Sequence, residues 1–264
     1  MAAIEPMNQF MIHKVVALPL VEVPGVGSLD LSITNSVLFL LIAAGLITIF
    51  FLTAARRDVV PGRMQSVVES LYDLVDNGLT GAMIGDHGRP FLPFIFTLFM
   101  LIAVVNVIGV IPTSFTATSQ LAITATLGVM TFAAVIVVGF VRNGLGFFKL
   151  FVPSGVHWGM AIFLAPIEFL SFVVRPLTLA LRLFGNMMAG HVMLYLFATF
   201  VAALGLFAMH GGLASLGFVG STLSLGMIVA VLGLELAVAV IQAFVFATLA
   251  CVYLNEVVNL GHGH

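Results

Sequence analysis

Residues 35 to 55 read NSVLFLLIAAGLITIFFLTAA, a run with no charged side chain and long enough to cross a bilayer. A spanning helix needs about 20 apolar residues, because lipid offers no partner to a free backbone N–H or C=O. Residues 91 to 111 and 121 to 141 have the same character, and each of these three runs fits one upright crossing. Two later stretches, 161 to 198 and 214 to 254, are too long for that. As continuous helices each would measure on the order of 55 to 60 Å against a hydrocarbon layer of roughly 30 Å. They must tilt strongly, bend or break, and Pro166 and Pro176 supply kink points in the first. The expected fold class is an all-α membrane protein with about five transmembrane helices, one surface amphipathic helix and a long, strongly tilted C-terminal helical hairpin.

Composition agrees: 61% of residues are hydrophobic and 8% are charged, too apolar for a soluble core. A net charge of -2 without a basic tail argues against nucleic acid as a partner. The single cysteine, Cys251, leaves neither a disulfide framework nor a cysteine metal site. Residues 1 to 34 carry acidic side chains and prolines without the apolar core of a signal peptide, so they are expected to be an extramembrane part of one membrane domain covering residues 1 to 264.

Residues 61 to 84 are too polar to span. Val67, Val68, Leu71, Leu74 and Val75 recur at helical spacing while Glu69, Asp73 and Asp76 take the other side. This is the pattern of an amphipathic helix on the membrane surface; an ordinary extramembrane helix is the alternative. Arg56, Arg57, Arg63, Arg89, Arg142 and Lys149 fall in loops on one side and Lys14 on the other. With five crossings, the positive-inside rule then puts the N-terminus outside and the C-terminus in the cytoplasm or its equivalent.

The informative residues lie inside the last two spans. A spacing of seven turns a helix to within about 20° of two full turns. Glu168, Arg175 and Arg182 follow it, with Ser171 and Thr178 near the same stripe and Asn186 one turn beyond. On the last span Glu235 and Gln242 repeat the spacing, with Tyr253 about 20° off it. His191 points to the opposite side of a straight helix from Arg182. A charge at membrane depth costs about 2.5 to 3.5 kcal/mol on insertion scales, so each normally faces a partner or water. Arg175 is either the partner of an inward carboxylate, a snorkelling cation or a direct participant in proton movement, and Glu168 is either its counter-ion or a proton carrier. His191 reads as a packing histidine or a proton carrier, and Gln242 and Asn106 as interhelical hydrogen-bond links or parts of a polar path. Arg182 differs, since no acidic residue stands one turn away on its own helix. A partner on another subunit is then one reading. Glutamate and histidine exchange protons near neutral pH while a guanidinium stays charged, so a path lined by Glu and His conducts up to a fixed arginine and not past it.

Three segments, LRLFGNMMAGH (181 to 191), LELAVAVIQAFVFATLACVYL (234 to 254) and NVIGVIPTSFTATSQL (106 to 121), resemble subunit a of the F-type ATP synthase membrane sector, and the resemblance extends across nearly the whole chain. It implies a non-catalytic stator subunit that forms two offset proton half-channels against a rotating c-ring of small hairpin subunits, each with a buried carboxylate. Proton flow would be coupled to ring rotation and ATP synthesis, with nucleotide chemistry and b-type peripheral-stalk contacts on other subunits. Arg182 matches the stator arginine and Gln242 the glutamine beside it. His191 and Glu235 match a polar pair of the outer half-channel, with Asn106 and Asn186 as further polar positions. Glu168, Ser171, Arg175, Thr178 and Tyr253 match positions of the inner half-channel. Some bacterial members carry glutamate first and histidine second; the order here resembles mitochondrial-type members and leaves open which group takes the proton first. The resemblance implies no cofactor and a bacterial inner membrane, with the mitochondrial inner membrane as the alternative.

Two other classes fit less well. A self-contained proton-coupled transporter needs a midplane substrate site, and no repeat symmetry is present to build one. A membrane-embedded hydrolase needs a metal pair, a nucleophile elbow or an aspartate pair, and the sequence has no such motif.

Overall fold

A computed structural model of the chain describes residues 10–17, 21–23, 27–29, 32–54, 62–111, 114–151, 158–209 and 216–260. Arg56 and Arg57, two of the charges used above for orientation, lie outside them. Among the described residues, five helices are long and apolar enough to cross a membrane. In chain order the helices are α1 (Asn35–Ala54), α2 (Arg63–Val75), α3 (Ala82–Ile84), α4 (Leu92–Val110), α5 (Leu121–Asn143), α6 (Trp158–Ala208) and α7 (Gly217–Val258). Before them, β1 (Lys14–Val16) pairs antiparallel with β4 (Ile33–Thr34), and β2 (Val21–Val23) with β3 (Gly27–Leu29). The protein is an all-α membrane protein with these two short ladders added to its N-terminal segment.

The last two helices are longer than the apolar stretches suggest. α6 has 51 residues and runs without interruption through Pro166 and Pro176, for a contour of about 76 Å. α7 has 42 residues, about 63 Å. The polar stripe does not end either helix, because every backbone N–H in lipid still needs its i−4 carbonyl whatever the side chain beside it.

The amphipathic segment is not one regular helix. α2 ends at Val75 and gives way to a π-helical stretch, Asp76–Gly81, then to α3 and a 3₁₀ stretch, Gly85–Phe91. Val75, Leu79 and Thr80 are buried, while Val67 and Leu74 are exposed, so the buried face is narrower than the sequence pattern. Gly85 supplies the positive φ, 75°, at which the chain turns.

Two compact units share the chain. The first comprises residues 1–43, 105–120 and 183–241; the second comprises 44–104, 121–182 and 242–264. In the first, Asn35 pins the N-terminal segment to the start of α1: its backbone N–H donates to the His13 carbonyl at 3.0 Å and its side-chain amide to the Met11 carbonyl at 3.1 Å. The first-unit parts of α6 and α7 run antiparallel. Ser221 Oγ donates to the Val201 carbonyl at 3.0 Å, and a Cβ on Gly217 would stand 2.6 Å from the Leu204 carbonyl oxygen.

In the second unit, Phe172 of α6 is buried against Phe132, Phe147 and Phe151, with ring centroids 4.8, 6.0 and 5.5 Å away. Phe147 and Phe151 come from a 3₁₀ stretch after α5 that folds back through Gly144, whose φ is 53°. Asn143 Nδ2 donates to the Val257 carbonyl at 2.6 Å, tying α5 to the end of α7. Cys251 of α7 is fully buried, with 0% of its surface exposed.

α5 and α6 approach backbone to backbone at Gly128, where a Cβ would lie 2.7 Å from the Pro176 carbonyl oxygen. Backbone cannot step aside as a side-chain tip can. Gly128→Ala is expected to destabilise the protein by about 1 to 3 kcal/mol, the usual cost of overpacking. A lowered unfolding midpoint in detergent, measured against Gly45→Ala where the added Cβ meets nothing, is the check.

Candidate functional site: two polar clusters on the long helices

The first unit gathers Asn106, His191 and Glu235. Glu235 on α7 is buried at 3% exposure, and Asn106 on α4 at 0%. Asn106 Nδ2 donates to the Ala239 carbonyl, one turn beyond Glu235, at 3.2 Å. The amide therefore links α4 to α7, which was one of its two readings.

His191 Nε2 lies 3.6 Å from Glu235 Oε1, within ion-pair range and beyond a direct hydrogen bond. The same nitrogen contacts Thr116 Oγ1 at 2.6 Å, and that hydroxyl donates to the Gly109 carbonyl at 3.1 Å. The Phe10 ring meets the imidazole edge-on, centroids 6.2 Å apart.

Glycines make room for this cluster. A Cβ on Gly190 would stand 2.7 Å from Glu235 Oε1, and one on Gly109 would stand 2.6 Å from Thr116 Cγ2. His191, Tyr195 and Ser114 are the polar members of an otherwise apolar cavity of about 480 Å³, formed by the end of α4, the segment after it, α6 and α7. Asn186, in the same unit, is exposed.

The second unit holds Glu168, Ser171, Arg175, Thr178, Arg182, Gln242 and Tyr253. Arg175 is partnered within its own chain: NH1 meets Glu256 Oε2, and NH2 lies 3.5 Å from Glu168 Oε1. Its guanidinium carbon sits 4.9 Å from the centroid of the Tyr253 ring and 5.6 Å from that of Phe172. Five donors in a plane suit this arrangement, with two carboxylates and two aromatic rings around one guanidinium. Of the readings open for Arg175, partnership with a carboxylate describes its geometry.

Thr178 Oγ1 donates back to the Arg175 carbonyl at 2.8 Å, so its hydroxyl is engaged on its own helix. Ser171 is exposed. Gln242 is buried at 5% exposure. Arg182 is exposed, and among the described residues no carboxylate of the chain forms an ion pair with it.

Thr116 and Glu256 are the contacts that sequence reasoning missed. Glu256 was legible: it continues the seven-residue stripe of Glu235 and Gln242, but it lies past Leu254, where the apolar stretch was taken to end. Thr116 lies in an irregular segment, where periodicity says nothing about direction.

The fold and the ionisable residues on its two longest helices define a multi-pass membrane protein that keeps a histidine, carboxylates and arginines in its spanning segments. Residues 37–255 match the family model of the ATP synthase A chain. The chain is 45% identical over 260 residues to the ATP synthase subunit a of Hyphomonas neptunium, covering 97% of each protein. It is 44% identical over 260 residues to that of Mesorhizobium japonicum, covering 98% of each, and 43% identical over 262 residues to that of Allorhizobium ampelinum, covering 98% of this chain and 99% of the relative. The chain belongs to the ATP synthase subunit a family.

The Arg175–Glu256 contact can be weighed apart from function. The side chains are 16% and 32% exposed, which places the pair between a surface bridge and a sealed one. A double-mutant cycle with Arg175→Ala and Glu256→Gln, read as detergent stability, is expected to give a coupling of about 1 kcal/mol. Strict additivity would mean that the contact contributes nothing.

Proposed function

We propose that this chain is the non-catalytic stator subunit of an F-type ATP synthase, guiding protons through two offset half-channels to and from a rotating c-ring. The observation that carries the reading is Arg182: exposed, on a spanning helix, and without a carboxylate of its own chain among the described residues, in a member of this family. A permanent charge at that depth calls for a counter-charge. A carboxylate on each ring subunit supplies it in turn.

At about 4 Å and an effective dielectric constant near 20, a guanidinium stabilises a carboxylate by roughly 4 kcal/mol. That favours the ionised ring carboxylate about a thousandfold beside Arg182. The fixed charge also repels any proton that would leak directly between the half-channels. In the outer half-channel, His191 and Glu235 take and pass protons, with Asn106, Asn186 and Gln242 as polar neighbours. In the inner one, Arg175 is held by Glu256, Glu168 and Tyr253 at the edge of an aqueous exit, with Ser171 and Thr178 along it. α6 and α7, roughly two to two and a half times as long as the layer is thick, lie steeply inclined along the ring. The c-ring, b-type peripheral-stalk subunits and the nucleotide-handling subunits are the partners. The location is a bacterial inner membrane, with the N-terminus outside and the C-terminus in the cytoplasm.

Arg182→Ala is expected to abolish coupled ATP synthesis and ATP-driven proton pumping in an assembled complex; normal coupled pumping by that variant would overturn the reading. Glu235→Gln is expected to slow proton translocation from the outer side. Rates equal to wild type across a pH series would remove Glu235 from the path.

A further inference from the structure

Thr116 has one hydroxyl hydrogen and two close polar neighbours. His191 Nε2 stands 2.6 Å from Oγ1, and the Gly109 carbonyl oxygen stands 3.1 Å from it. A carbonyl oxygen can only accept, so the Thr116 hydrogen has to point at Gly109 for that contact to be a hydrogen bond. The hydroxyl then has lone pairs for His191, and the His191 contact is a hydrogen bond only if Nε2 carries a hydrogen. With the roles reversed, the Gly109 and Thr116 oxygens would face each other with no hydrogen between them. Thr116 is 5% exposed, so water does not readily relieve such a clash.

We propose that Thr116 is a positioning residue for proton transfer, holding neutral His191 in the tautomer with hydrogen on Nε2 and leaving the Nδ1 lone pair as the atom that accepts the incoming proton. The tautomer of a histidine is set by the bond its other nitrogen makes, and here Thr116 makes it. The inference rests on the reading of His191 and Glu235 as the outer half-channel.

The proton balance is explicit. A proton binds Nδ1 and gives the imidazolium. A small rotation of the ring then brings Nε2, 3.6 Å from Glu235 Oε1 in the resting geometry, within hydrogen-bond distance of that carboxylate, and the Nε2 hydrogen leaves for it. The ring is left neutral with hydrogen on Nδ1, and the Thr116 hydroxyl turns from the Gly109 carbonyl to donate to the bare Nε2. The first tautomer returns by a water-relayed shift, in which water in the cavity beside His191 takes the hydrogen from Nδ1 and gives one to Nε2, with no net proton gained or lost. A hydroxyl can donate in one state and accept in the other, but in the second state the Gly109 carbonyl keeps only the longer contact from Ser114 Oγ at 3.4 Å, so the Nδ1–H tautomer is the costlier one and the ring rests in the first. Gly109 allows it, since a Cβ there would stand 2.6 Å from Thr116 Cγ2 and push the side chain away.

The test uses the assembled ATP synthase in liposomes with Thr116→Val, which keeps the shape and removes the hydroxyl, and Thr116→Ser, which keeps the hydroxyl. Nitrogen-15 and carbon-13 shifts of the His191 ring, assigned by difference from His191→Gln, report the tautomer. Proton uptake from the outer side reports function. Wild type and Thr116→Ser are expected to hold the Nε2–H tautomer, whereas Thr116→Val gives a mixture and slows uptake about tenfold, the worth of one hydrogen bond. An unchanged His191 spectrum in Thr116→Val, with uptake still lost in His191→Gln, overturns the proposal and leaves the half-channel reading standing. Normal uptake in His191→Gln overturns the half-channel reading, and the transfer role of Thr116 falls with it, whatever the tautomer. If Thr116→Val fails to assemble, Thr116→Cys, a weak acceptor, is read by the same outcomes.

Discussion

Two arginines seven residues apart on one helix solve the problem of charge in lipid in different ways. Arg175 is partnered within its own chain, with two carboxylates in ion-pair range and two aromatic rings within about 6 Å of its guanidinium carbon. Arg182 is exposed and has no such carboxylate among the described residues. The first arrangement is self-contained, so it stabilises the fold. The second leaves an unmet electrostatic demand, and a surface with such a demand is suited to a neighbour that comes and goes. α6 is long enough to carry both arginines and His191 on one continuous backbone.

Space is handled as carefully as charge. Around Glu235 the critical neighbour is an absent side chain, because Gly190 leaves room for the carboxylate that any Cβ would displace. Gly109 does the same for Thr116. Buried polar groups are costly unless satisfied, and close packing normally leaves few positions where a carboxyl can move. Omitting two side chains lets Glu235 and Thr116 pack close against helical backbone, at the cost of glycine's low helix propensity, about 1 kcal/mol each. Gly128 faces backbone, so its missing side chain brings two helices together without freeing any polar group.

The helical class was legible because runs such as residues 35 to 55 admit no other solution in lipid. The polar stripes were legible because seven residues nearly close two helical turns, and Arg175 with Glu168 follows directly from that arithmetic. Glu256 was lost at a boundary drawn by hydropathy, since α7 continues to Val258 after the apolar composition fades. Thr116 and Phe10 were lost because they lie outside the long helices, and only tertiary packing brings them to His191. Pro166 and Pro176 were legible as kink points, and α6 runs through both without ending, since lipid penalises an interrupted ladder more than it penalises a missing N–H. The π-helical stretch at Asp76–Gly81 left no mark in a pattern that resembled one amphipathic helix.

The only sulfhydryl in the chain, Cys251, is sealed inside the protein. Water-soluble alkylating reagents act on an accessible thiolate, and this one is inaccessible. A reporter thiol placed in either polar cluster would therefore be labelled against a silent background, and solvent access could be mapped position by position without first removing the native cysteine.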